Sequence, residues 1–125
     1  MKIHSTSIIH KNAVIGANVE IGPYCIIDEN VVIGDDTKIF SYVHILPNTK
    51  IGKNNIFYQG SVVGGIPQDL KYDNEYSELI IGNNNTIREY CTLNRGTEAS
   101  GKTVIGSNCL LMAYVHVAHD CIVED

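Results

Sequence analysis

Several things are scarce or missing in this 125-residue chain, and each absence removes a class of function. Basic charge is scarce: 9 Lys and Arg stand against 14 Asp and Glu, a net charge of −5. A face for nucleic acid or an anionic membrane needs the opposite balance, so neither is an expected partner. A local basic site for a phosphorylated ligand stays open. Long apolar runs are missing. None approaches the roughly 20 residues of a membrane-spanning helix, and Met1-Lys2-Ile3-His4-Ser5-Thr6 lacks the apolar centre of a signal peptide. No membrane insertion and a cytoplasmic location are the matching expectations. Paired cysteines are missing: Cys25, Cys91, Cys109 and Cys121 form no C-x-x-C, which weakens zinc-finger and thioredoxin-like readings. Helical periodicity is missing too, because no segment repeats its apolar residues every three to four positions.

What is present is a six-residue clock. Ile stands at positions 3, 9, 15, 21, 27, 33, 39, 45 and 51, and Phe57 and Val63 continue the series. After a break it resumes in phase at Ile81, Ile87 and Leu93, and after a second break at Ile105, Leu111, Val117 and Val123. Gly often follows the aliphatic residue directly, as at Gly16, Gly34, Gly52, Gly82 and Gly106, and Asn often stands three after it, as at Asn18, Asn30, Asn54 and Asn84. Both residue types are expected to serve turns with positive φ. Two before the aliphatic stands a small or β-branched residue such as Ala13, Val31 or Thr49, and all four cysteines occupy this position. They are expected to be small buried hydrophobes.

A period of six fits neither a helix nor a hairpin. It fits a solenoid in which three units make a triangular coil of about eighteen residues, and coils stack in parallel β pairing at roughly 4.8 Å. The expected fold is thus an all-β parallel β-helix forming one domain over residues 1–125. Two segments escape it: 64–78, with Gln68, Asp69 and Lys71 close together, and 95–102. Extruded loops on a regular scaffold are the first place to look for function. An amide, a carboxylate and an ammonium within four residues suit a sugar and a phosphate.

Among the histidines, His4 and His10 read as surface residues and His44 as an outward structural or interface residue. His116 and His119 differ. Val115 and Val117 point inward, so His116 faces out, and His119 follows in the next turn with Asp120 beside it. A neutral imidazole is a common general base for activating a hydroxyl. Spacing alone sets solvated histidines or a metal site against that reading.

The repeat unit, aliphatic-Gly-x-x-small-x, resembles the hexapeptide-repeat acyltransferases, which implies that the coil winds left-handed. Pro67-Gln68-Asp69-Leu70-Lys71-Tyr72, Ile87-Arg88-Glu89, Asn94-Arg95-Gly96-Thr97 and the run Leu110 to Cys121 with His116-Val117-Ala118-His119-Asp120 narrow the likeness. Together they resemble the UDP-N-acetylglucosamine 3-O-acyltransferases of lipid A biosynthesis, over essentially the whole chain. The resemblance implies a cytoplasmic homotrimer that moves a 3-hydroxyacyl chain from acyl carrier protein to the 3-hydroxyl of UDP-N-acetylglucosamine. It implies His119 as the base and Asp120 as its support. It places Gln68, Asp69, Lys71 and His116 near the sugar, phosphate or acyl chain, and it implies no metal and no bound cofactor. Lys71 and Arg95 are expected to help steer the acidic carrier protein. Members of that family continue through further coils into a helical domain. The chain is therefore expected to be an N-terminal part, inactive alone, with an end prone to association or fraying.

Three other readings use the same residues. One is a non-catalytic scaffold or oligomerisation fragment, which the repeat alone would support. A second is a carbonic-anhydrase-like zinc enzyme drawing on His44, His116 and His119 across a subunit interface. The third is the N-acyltransferase of the same pathway, which typically carries an extra N-terminal domain, whereas here the repeat starts at Ile3.

Overall fold

The computed structural model describes residues 1–69 and 76–125. Its strands are two to four residues long, because each hexapeptide supplies one short extended segment before the next corner. They alternate among three parallel sheets. The first holds β1 (Lys2–Ile3), β4 (Glu20–Ile21), β7 (Lys38–Ile39), β10 (Ile56–Phe57), β13 (Thr86–Ile87) and β16 (Leu110–Leu111). The second holds β2 (Ile8–Ile9), β5 (Ile26–Ile27), β8 (His44–Ile45), β11 (Val62–Gly65), β14 (Thr92–Asn94) and β17 (His116–Val117). The third holds β3 (Val14–Ile15), β6 (Val31–Ile33), β9 (Thr49–Ile51), β12 (Glu78–Ile81), β15 (Lys102–Ile105) and β18 (Ile122–Val123).

The pairing register states the coil length. Glu20 pairs with Lys2 and with Lys38, eighteen residues away on either side. Ile56 pairs with Thr86, thirty residues on, and Thr86 with Leu110, twenty-four on. The first insertion thus adds twelve residues and the second six. Both are whole numbers of hexapeptides, which is why the sequence returns in phase after each.

The aliphatic residues fill the inside: Ile27, Ile45, Phe57, Ile87 and Leu93 are all essentially inaccessible. The small position two before them is inward as well, and the polar groups it carries are hydrogen-bonded. Asn55 donates through Nδ2 to the Gly82 carbonyl (2.9 Å) and accepts through Oδ1 from the Asn85 N–H (2.9 Å). Asn85 repeats the pattern one coil on, with the Gly106 carbonyl and the Cys109 N–H. A buried amide that makes both kinds of bond avoids the cost of burying a polar group. Cys25 and Cys91 are buried as expected, and burial raises both thiols above the ordinary value despite opposing hydrogen bonds. Cys109 is half-buried and Cys121 is exposed.

Glycine and asparagine share the positive-φ role only in part: Gly60 and Gly64 take it, with φ 79° and 84°, while other glycines of the repeat do a different job. Asparagine takes the left-handed corner at Asn18, Asn30, Asn48, Asn54, Asn84 and Asn108, with φ between 55° and 64°. Aspartates and tyrosines take the same conformation elsewhere: Asp36, Asp120, Tyr24, Tyr42, Tyr90 and Tyr114. At Gly34 and Gly82, next to the aliphatic residue, glycine is needed for closeness instead. A Cβ on Gly34 would stand 2.4 Å from the Gly52 carbonyl oxygen of the next coil, and one on Gly82 would stand 2.6 Å from that of Gly106. The tyrosine corner pays for its conformation with ring stacking. Tyr24 lies on Tyr42 (centroids 5.3 Å) and Tyr90 on Tyr114 (5.6 Å).

Candidate active site

Both loops leave the second sheet and rejoin the third, between β11 and β12 and between β14 and β15. The turn that follows β17 crosses the same corner one coil further on. Since β11, β14 and β17 are neighbours in their sheet, the described ends of the first loop, the second loop and the segment Ala118–Cys121 meet at one edge of the solenoid. That is how residues far apart in sequence come to share a site.

His119 sits in the turn, partly exposed, with its two ring nitrogens facing opposite ways. Nδ1 lies 2.9 Å from Asp120 Oδ2, and Nε2 lies 3.8 Å from Asp69 Oδ2 of the first loop. Asp120 takes the left-handed corner conformation (φ 61°) and folds its carboxylate toward the second loop. Its oxygens accept from the Thr97 N–H (2.9 Å), the Thr97 hydroxyl (2.5 Å) and Ser100 Oγ (2.6 Å), as well as from His119. Its own N–H donates to Thr103 Oγ1 (2.9 Å). Burial works against its charge, but the bonds from Ser100, Thr97 and His119 and from the Thr97 N–H outweigh it. They hold the carboxyl far below the usual range. His116 faces outward from β17, and its Nδ1 is 2.7 Å from Thr92 Oγ1 on the adjoining strand, in register with it.

Of the residues singled out from sequence, Asp69, His119 and Asp120 meet. His116 lies three residues before His119 on the same exterior edge. Gln68 is exposed at the root of the first loop. Lys71 lies outside the described residues. Arg95 contradicts the steering role: it is 8% exposed, and its Nη1 donates to the Pro47 carbonyl (3.2 Å). A guanidinium turned inward does not present its charge to an approaching protein. His44 belongs to a different pairing, with its Nε2 2.8 Å from Asp28 Oδ2. Within the chain, two strands (β11 and β14) separate β8 from β17, so His44 and His116 stand roughly 14 Å apart at ordinary strand spacing. Among the described residues no three side chains gather as a metal site would need. Thr97 stands in a motif of the resemblance without a role of its own, and the sequence does not single out Thr92, Ser100 and Thr103 as site residues. The only signal there was the density of hydroxyl residues in the second loop.

The lowered Asp120 carboxyl has a consequence for stability. A carboxyl whose native pKa lies below its unfolded value of about 3.9 contributes stability above that pH, and the contribution is lost as pH falls through the native value. Asp120→Asn is therefore expected to cost about 1–3 kcal/mol at pH 7. It should also flatten the loss of stability on acidification below about pH 4. Urea midpoints at pH 7, 5 and 3 check this. Parallel pH curves for the two proteins would contradict it.

A model of the family described as bacterial transferase hexapeptide (six repeats) matches residues 1–34 and 30–65, more than half of the chain, and the chain belongs to that family. Its coil is accordingly a left-handed parallel β-helix. More particular likenesses follow. A protein of Chlorobaculum parvum named acyl-(acyl-carrier-protein)–UDP-N-acetylglucosamine O-acyltransferase is 57% identical over 120 residues, which are 96% of this chain and 46% of the relative. One of the same name from Aliarcobacter butzleri is 57% identical over 124 residues, 98% of this chain and 48% of the relative. The solved structure of LpxA from Acinetobacter baumannii superposes with a TM-score of 0.98 at 53% identity, covering all of this chain and 49% of that one. LpxA from Bacteroides fragilis, a UDP-N-acetylglucosamine acyltransferase, gives 0.97 at 51% identity, over 98% of this chain and 48% of that one. The chain spans about half the length of the curated relatives it matches.

Proposed function

We propose that this chain is the base-bearing part of an acyltransferase. The enzyme would move a 3-hydroxyacyl group from acyl carrier protein to the 3-hydroxyl of UDP-N-acetylglucosamine, the first step of lipid A biosynthesis. The observation that carries the reading is His119: Asp120 braces one ring nitrogen, and the other faces the corner where the two loops open. In the proposed step Nε2 takes the proton of the sugar hydroxyl as the oxygen attacks the thioester carbonyl. The C–O bond forms, and the tetrahedral oxyanion collapses with loss of the C–S bond. The imidazolium then returns its proton to the carrier's thiolate, so no proton or electron is left over. Asp69 stands where it would stabilise the transient positive ring, and Asp69, Gln68, Lys71 and His116 are assigned to holding the substrates.

The names of the relatives support the same two substrates. We further place the protein in the cytoplasm as a homotrimer. Among the described residues no helix is long and apolar enough to cross a membrane. Exposed apolar side chains on the second sheet, Ile8 and Ile26, and on the tyrosine corner offer surface for assembly.

The test is thiol release. With 3-hydroxyacyl carrier protein supplied, the native protein should liberate the carrier's thiol only when UDP-N-acetylglucosamine is present. Release at the same rate without the sugar nucleotide would point to a thioesterase and against the proposal.

A further inference from the structure

The geometry points to Thr97 and Ser100 of the second loop as positioning residues that fix the proton on Nδ1 of His119 and so leave Nε2 as the basic atom. This rests on the reading of His119 as the base. The chain of reasoning begins at Asp120. An ionised carboxylate only accepts hydrogen bonds, so the atom of His119 that meets Asp120 Oδ2 at 2.9 Å must be an N–H donor. The tautomer of the imidazole therefore depends on Asp120 being ionised and correctly turned.

The second loop supplies both conditions. Thr97 is buried, and its hydroxyl is committed at both ends: it accepts from the Ala99 N–H (3.2 Å) and so directs its single proton to Asp120 Oδ2 (2.5 Å). The Thr97 N–H and Ser100 Oγ occupy the other oxygen. Ser100 Oγ also lies 2.9 Å from the Lys102 carbonyl, but it has one proton, and the shorter contact to a charged acceptor takes it. The loop itself is held shut. The Gly101 N–H donates to the Thr97 carbonyl (2.6 Å), and Gly96 packs so tightly on Lys102 that an added Cβ would lie 2.3 Å from its nitrogen. The six-residue insertion thus builds a fixed cage of donors around one carboxylate, which a mere surface loop has no reason to do.

Thr97→Val keeps the shape and removes the hydroxyl, Thr97→Ser restores it, and Ser100→Ala removes the second donor from an exposed site. In the native protein, Thr97→Val is expected to lower kcat about 10–100-fold with KM for the sugar nucleotide within about twofold, and Thr97→Ser to stay within about threefold of wild type. Ring-nitrogen NMR of His119 should show the Nδ1–H form dominant in wild type and Thr97→Ser, and a mixture in Thr97→Val. If Thr97→Val fails to fold, Ser100→Ala carries the test: the same tautomer mixing and a fall of at least about threefold in kcat are expected. Equal losses in Thr97→Val and Thr97→Ser, or an unchanged His119 tautomer in Thr97→Val or Ser100→Ala, would overturn the proposal. Retained turnover in His119→Ala would instead remove the base assignment beneath it, so the two failures are distinct.

Discussion

His119→Ala is expected to lower kcat by about 10²–10⁴-fold, the range that a positioned general base supplies. The same variant should keep the wild-type circular dichroism spectrum and urea midpoint within about 0.5 kcal/mol. The expectation of an intact fold follows from where the ring sits. It lies in a corner turn outside the coil, and the hydrogen bond it donates is one of four on Asp120. Removing it leaves Asp120 held by Thr97 and Ser100, so neither a cavity nor an orphaned buried charge is created. The loss should fall on kcat rather than on KM, because the proton is taken only as the carbonyl is attacked. Side-by-side assays of wild type and variant check this. A variant that keeps more than about a tenth of wild-type kcat would show that another group takes the proton.

Phe57→Ala is expected to have the largest effect on stability, about 3–5 kcal/mol. Phe57 is wholly inaccessible and occupies the aliphatic position of β10, between Ile39 and Ile87 of the flanking coils. Collapse around the missing ring would require neighbouring coils to approach each other. The parallel ladders on both sides hold the strand spacing, so the cavity stays open and the full cost is felt. At a urea dependence of about 1–3 kcal/mol per molar, the midpoint should fall by at least about 1 M. Val14→Ala, which trims a side chain 60% exposed on the third sheet, should move stability by less than about 0.5 kcal/mol. Similar shifts for the two variants would mean that the inward aliphatic column does not carry the fold.

The coil was legible because its cause is local and repeats. Each Ile sits six residues from the next for the same steric reason, and two-residue strands leave no other phase open. The place of the candidate site has a related cause: insertions of whole hexapeptides keep the register, so loops that leave after β11 and β14 start above one another at the corner that carries His119. What was not legible depended on conformation rather than on pattern. Gly34 and Gly82 look like flexible turn residues in sequence, yet each is there because the next coil's carbonyl leaves no room for a Cβ. Arg95 reads as a surface charge but turns inward to the Pro47 carbonyl. The hold of Thr97 and Ser100 on Asp120 spans twenty or more residues through a loop whose path no periodicity dictates.

The most direct measurement of the central claim is the position of the new ester. The product formed by the native protein from 3-hydroxyacyl carrier protein and UDP-N-acetylglucosamine can be isolated and its carbon–proton couplings read by two-dimensional NMR. The account predicts a single acyl carbonyl coupled to the proton on C3 of the glucosamine ring, with the amide intact. An acyl group on nitrogen or on another hydroxyl, or hydrolysed acyl chain with the sugar nucleotide unchanged, would contradict it.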